Sequence, residues 1–143
     1  MTSAFENLSG ANKPLRAEPP DQQEFEGLIR SGRARLRDAL NESLSIESRF
    51  DLAYNAAHAF CLAALRWHGY RSSNRYVVFQ LLPHTLDLGP AVWRVLDKCH
   101  NISNLGEYEG DLNVDERIVN DLLVACQAVA VSVDALSPLP ETS

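Results

Sequence analysis

A chain of 143 residues, 45% of them hydrophobic, is the size of one ordinary domain and carries enough apolar side chains to fill one core. No run of roughly 18 or more apolar residues occurs, which excludes a membrane-spanning helix. A formal net charge of −6 argues against non-specific coating of DNA, although it leaves room for a local basic face.

Residues 1–20, with Gly10, Pro14, Pro19, Pro20 and mostly small or polar neighbours, read as a flexible N-terminal tail. They contain no basic stretch followed by an apolar one, so no secretory signal is expected. The three cysteines, Cys61, Cys99 and Cys126, are odd in number and lie at no metal-binding spacing. The two observations together predict free thiols, a cytoplasmic location and neither metal nor cofactor.

From Asp21 the periodicity becomes helical. Asp21 can cap a first helix, with Glu24 three residues on to complete a capping box. Phe25, Leu28, Ile29, Leu36, Leu40 and Leu44 recur at three- and four-residue steps, and Gly32 is a weak point that can bend the rod. Ser45 opens a second helix, supported by Ser48. Its stripe of Phe50, Ala53, Tyr54, Ala57, Cys61, Ala64 and Leu65 reads as buried, and Gly69 after His68 suits a left-handed cap. Ala53, Ala56, Ala57, Ala59, Ala63 and Ala64 suit either an intimate core helix or a tight dimer seam.

Ser72 or Ser73 can cap a third helix through Tyr76–Leu82, although this apolar run also suits a strand, and Pro83 ends or kinks it. Leu88-Gly89-Pro90 places a proline at the favoured first position of a fourth helix. Val92, Leu96, Cys99 and either Ile102 or Ser103 line its inner face, and Gly110 stops it. Asn113 or Asp115 starts a fifth helix, in which Ile118, Leu122, Ala125, Val129, Val133 and Leu136 keep step. Its second half is apolar nearly all round, so it is buried or lies at a subunit contact, and a charge at Val129 is the natural probe. The expected architecture is an all-α, up-and-down bundle of about five helices over residues 21–137, with a flexible C-terminal tail at 138–143.

Four groups of residues bear on function. The histidines and cysteines form no H-E-x-x-H or C-x-x-C pattern, so core thiols and hydrogen-bonded imidazoles are the simpler reading than a metal. Neither a nucleophile elbow nor a phosphate-cradling glycine loop is present. Arg30, Arg33 and Arg37 share one face of the first helix, while Arg66, Arg71 and Arg75 cluster with Tyr70 and Tyr76 around a turn. Arginine beside exposed aromatics is how single-stranded RNA is held, with phosphates on guanidinium and bases stacked on rings; the alternative is a solvated, ion-paired face. Lastly, His100, Ser103, Asn104 and Glu107 stack on one helix face with Tyr108 beside them. That stripe is either a solvated edge or a site where His100, Glu107 and Tyr108 move protons. RNA cleavage there would also need a cation from Lys98, Arg94 or a second subunit.

The helical length, the segment Y-N-A-A-H-A-F-C-L-A-A-L-R-W-H-G-Y and the later S-N-L-G-E-Y resemble the HEPN domains of prokaryotes over most of residues 21–136. The resemblance implies a small helical bundle that dimerises. Many such domains are metal-independent ribonucleases of toxin–antitoxin and antiphage systems, often beside a nucleotidyltransferase partner. In the signature, an arginine and asparagine precede a histidine or tyrosine that faces its twin across the dimer. Asn104 matches the asparagine and Tyr108 the terminal aromatic, but Ser103 stands where the arginine belongs and cannot supply its charge. The expectation is therefore a catalytically weakened, dimeric module that holds RNA or a partner protein. The rivals are an endoribonuclease using His100, Asn104, Glu107 and Tyr108 in a composite dimer site, and a structural docking bundle.

Overall fold

The computed structural model describes residues 4–110 and 113–139; within the helix ending at Glu109, the side chains of Glu107, Tyr108 and Glu109 lie outside the described residues. The fold is all-α. Four long helices, α2 (Gln22–Ala39), α3 (Ile46–Trp67), α6 (Pro90–Glu109) and α7 (Glu116–Asp134), are joined by the short α1 (Ala4–Leu8), α4 (Arg75–Gln80) and α5 (Leu82–Thr85). A two-stranded antiparallel ribbon pairs β1 (Arg16–Ala17) with β2 (Tyr70–Arg71), with Arg16 opposite Arg71 and Ala17 opposite Tyr70. Among the described residues no helix is long and apolar enough to cross a membrane.

Helix α3 is the hub, packing on α2, α4, α5, α6, α7 and β2. Its alanines at 53, 56, 57, 59, 63 and 64 are buried within the chain, so the small side chains serve close intramolecular packing. Gly32 explains one such approach. A Cβ at this position would lie 2.8 Å from the Phe60 ring, so the glycine lets α2 close onto α3 where a bend was the expectation. Gly32→Ala gains up to about 1 kcal/mol of helix propensity but must displace a fully buried ring. We expect a net destabilisation of about 1–2 kcal/mol, read as a lower urea midpoint; an unchanged midpoint would show that the ring yields freely.

The caps follow the sequence with three exceptions. Asp21, Ser45 and Asp115 cap α2, α3 and α7 through side-chain oxygens, Pro90 opens α6, and Gly69 and Gly110 adopt left-handed φ of 88° and 74°. Helix α2 stops at Ala39, short of Leu44, because the Asn41 side chain takes the Ser43 N–H at 3.1 Å and closes a turn. Helix α4 is capped by Asn74, whose Oδ1 accepts from Val77 N–H, while Ser72 Oγ accepts from Asn74 N–H. Glu24 does not complete a capping box either; its carboxylate turns to Arg66 and Arg71.

The largest departure concerns residues 4–20, expected as a tail. Leu15 is 1% exposed, β1 is paired to β2, and Phe5 stacks on Tyr70 with ring centroids 5.1 Å apart. Composition marked this segment as polar, but its few apolar residues are the ones that dock. At the other end Leu139 is buried and Ser137 C=O accepts from Trp67 Nε1–H at 2.8 Å; residues 140–143 of the expected C-terminal tail lie outside the described residues.

Candidate functional site

Helices α3, α4 and α6 meet at a polar cleft of about 230 Å³ lined by Asp51, Tyr54, Asn55, Arg75, Ser103 and Asn104. Two of its lining residues hold His100. Tyr54 Oη lies 2.9 Å from His100 Nδ1, and Asn104 Nδ2 lies 3.1 Å from Nε2. With the Asn104 amide donating, Nε2 accepts, and in that tautomer Nδ1–H faces the Tyr54 hydroxyl. The i, i+4 spacing of His100 and Asn104 on α6 sets one contact; the packing of α3 against α6 sets the other.

Arg75 supplies a positive charge. Its guanidinium donates to Asn55 Oδ1 at 3.1 Å and lies 5.4 Å from the Tyr54 ring centroid. Asn55 in turn donates to Asp51 one helical turn earlier. His58, behind the cleft, is neutral at physiological pH: burial first, then the charges of Arg75 and His100, pull it down to about 4. Tyr76 stands beside His100, ring centroids 6.1 Å apart, with 40% of its surface exposed. The cleft wall thus holds a fixed cation and one carboxylate among the described residues, with the His100 imidazole bonded to two of its residues and the exposed Tyr76 ring beside that imidazole.

This joins two groups of residues that the sequence kept separate. His100 and Asn104 come together with Arg75 and Tyr76, while Glu107 and Tyr108 lie outside the described side chains. The cation comes from α4, not from Arg94 or Lys98: Arg94 lies over Trp93, and neither residue lines the cleft. The sequence places Tyr54 only in the core stripe and singles out no role for Asn55. A phenol on an apolar stripe was the available signal, since a buried hydroxyl needs a partner.

The remaining arginine cluster divides. Arg66 is 1% exposed and donates to Glu24, to the carbonyls of Glu18, Pro19 and Tyr70, and pairs with Glu18. It holds the N-terminal arm and is closed to a phosphate, which corrects its expected place on an RNA face. Arg71 pairs with Glu18 and Glu24, and the ring of Tyr70 is covered by Phe5. Arg33, from the α2 stripe, pairs with Asp134.

The three cysteines are buried and unpaired, and burial pushes the Cys99 and Cys126 thiols up to about 12, so neither supplies a thiolate at neutral pH. Among the described residues no group of three or more His, Cys, Asp and Glu side chains converges as a metal site would require. No family model, curated protein or solved structure matches this chain.

Proposed function

We propose that this chain is a HEPN-like, dimeric RNA-binding module of the cytoplasm, acting in a toxin–antitoxin or defence context. The observation that supports it best is that Arg75 and Asn104 line one cleft, with His100 bonded to Asn104 and the Tyr76 ring beside His100. Arg75 takes a backbone phosphate, Tyr76 stacks a base, and the Asn104 and Ser103 side chains offer hydrogen bonds to an unpaired base or a 2′-hydroxyl. The S-N-L-G-E-Y segment that resembles the HEPN signature supplies two of these groups.

Arg75→Ala tests the reading. The loss of one phosphate contact is expected to weaken binding of a single-stranded RNA about tenfold and to lower the salt slope by about 0.7. Unchanged affinity and slope would place RNA elsewhere or nowhere on this protein.

One observation favours the ribonuclease reading as a second. The cation that Ser103 cannot supply is present as Arg75, in the same cleft as the Tyr54 phenol, which is hydrogen-bonded to the His100 imidazole. On this reading the wild type arrests growth when expressed and cleaves cellular RNA, and His100→Ala relieves both effects.

A further inference from the structure

A second cavity adjoins the β2–α4 loop. It measures about 550 Å³ and sits between the N-terminal arm and that loop, with Lys13, Pro14, Arg16, Arg71, Ser72 and Ser73 in its wall. Among the described residues its lining includes three cationic side chains and no carboxylate. Counting the residues they pair with, the cluster holds the cations Lys13, Arg16, Arg66 and Arg71 against the carboxylates Glu18 and Glu24. That is a local surplus of two positive charges on a chain whose net charge is −6.

The arrangement is held in place. Glu18 and Glu24 take the Nε and Nη2 of Arg71, and among the described residues no carboxylate takes its Nη1. Arg16 is set opposite Arg71 by the β1–β2 register, which brings two like charges together across the ribbon. Glu18 lies beside both, 3.9 Å from Arg16 and hydrogen-bonded to Arg71, so a single carboxylate serves the two guanidiniums. Lys13 reaches the Asn7 carbonyl at 2.9 Å, a contact that an anion would outcompete. Ser73 is exposed at the rim and offers a hydroxyl, and Pro14 gives a flat apolar wall. The volume is more than a bare phosphate fills and falls within the range of pockets for small organic ligands.

We propose that this cavity binds a nucleoside phosphate monoester through Lys13, Arg16, Arg71 and Ser73, with the base against Pro14. A dianionic phosphate offers oxygens to all three cations of the cavity wall. The ligand is either a free mononucleotide or the 5′-phosphate end of an RNA. The second source rests on the RNA-binding reading above: Arg71 and Arg75 are separated by Ser72-Ser73-Asn74, so their backbones lie at most about 14 Å apart. A short strand can therefore bridge the two cavities.

Calorimetric titration of the full chain tests this with two matched pairs, AMP against adenosine and one short RNA with and without its 5′-phosphate. We expect AMP to bind at least about tenfold more tightly than adenosine, and Lys13→Ala/Arg16→Ala to remove most of that preference. Arg30→Ala/Arg37→Ala, which deletes the same charge from the exposed face of α2, should leave it nearly unchanged. A phosphate preference in the AMP pair alone identifies a free nucleotide; a preference in the RNA pair identifies the strand end. AMP binding without any RNA binding would sustain this site while removing the RNA reading. No phosphate preference in either pair, or equal losses in the two double variants, would overturn the proposal.

Discussion

Arg66→Ala is expected to cost about 3 kcal/mol of stability, seen as a fall in melting temperature on the order of 10 °C. Arg66 is 1% exposed and its guanidinium serves two carboxylates and three backbone carbonyls. Breaking a buried pair from one side costs roughly 3–5 kcal/mol because the other partners stay behind unsatisfied. Here Glu18 and Glu24 retain 37% and 31% of their side-chain exposure, so water relieves part of the loss and the lower end applies. The carbonyls of Glu18, Pro19 and Tyr70 lose their donor outright. Arg66→Lys should recover only part, since one ammonium cannot reproduce the planar fork. A loss under about 1 kcal/mol would mean that the arm is not held by this residue.

The same network gives the protein an acid limb. The hydrogen bond from Arg71 holds the Glu18 carboxyl below its ordinary value of 4.5. For Glu24, burial pushes upward, but hydrogen bonds from Arg66 and Arg71 outweigh it and the net shift is also downward. A depressed carboxylate stabilises the fold at pH above its unfolded-state value, and that contribution fades as pH falls from about 4.5 through the folded value. The Arg66→Ala variant should therefore lose less stability than the wild type across that acid range.

Arg66 also marks the boundary of what the sequence made legible. Asp21, Ser45, Pro90, Gly110 and Asp115 were readable because a cap is settled by residues within one turn of it. The burial of Arg66 was not, because its partner Glu24 is 42 residues away and sat in a position that suits a capping box. The cleft follows the same division. The His100–Asn104 contact is an i, i+4 pair and was visible as a stripe, whereas Tyr54 meets His100 across 46 residues and only helix packing brings them together. The arm was misread for a related reason: Phe5 and Leu15 are too sparse to make a periodic pattern, yet each finds a cavity or ring prepared by α3 and the turn after it.

The last helix poses the problem most sharply, and a pair of substitutions resolves it. The second half of α7 is apolar nearly all round, so its composition leaves open whether the stripe of Leu122, Ala125, Val129 and Val133 meets the core or a partner. Val129 is 0% exposed, with Leu122, Ala125, Cys126 and Val133 on the same buried side. Val124 and Val131, one heptad apart, are 67% and 70% exposed. A charge at Val129 therefore probes the core and not a docking face. Val129→Asp places a carboxylate in the α3–α7 seam, where the acid must either stay neutral or drag water inward. We expect a loss above about 4 kcal/mol, against a total of roughly 5–15 kcal/mol for a domain of this kind, and hence little folded protein by circular dichroism. Val131→Asp, two residues on, should leave the melting curve within about 0.5 kcal/mol of wild type. Because that variant stays folded, a change in its mass by light scattering reports on self-association through α7 without the confusion of unfolding. Equal destabilisation by the two aspartates would mean that α7 is buried all round, and the face carrying Val124 and Val131 would have to be covered in solution.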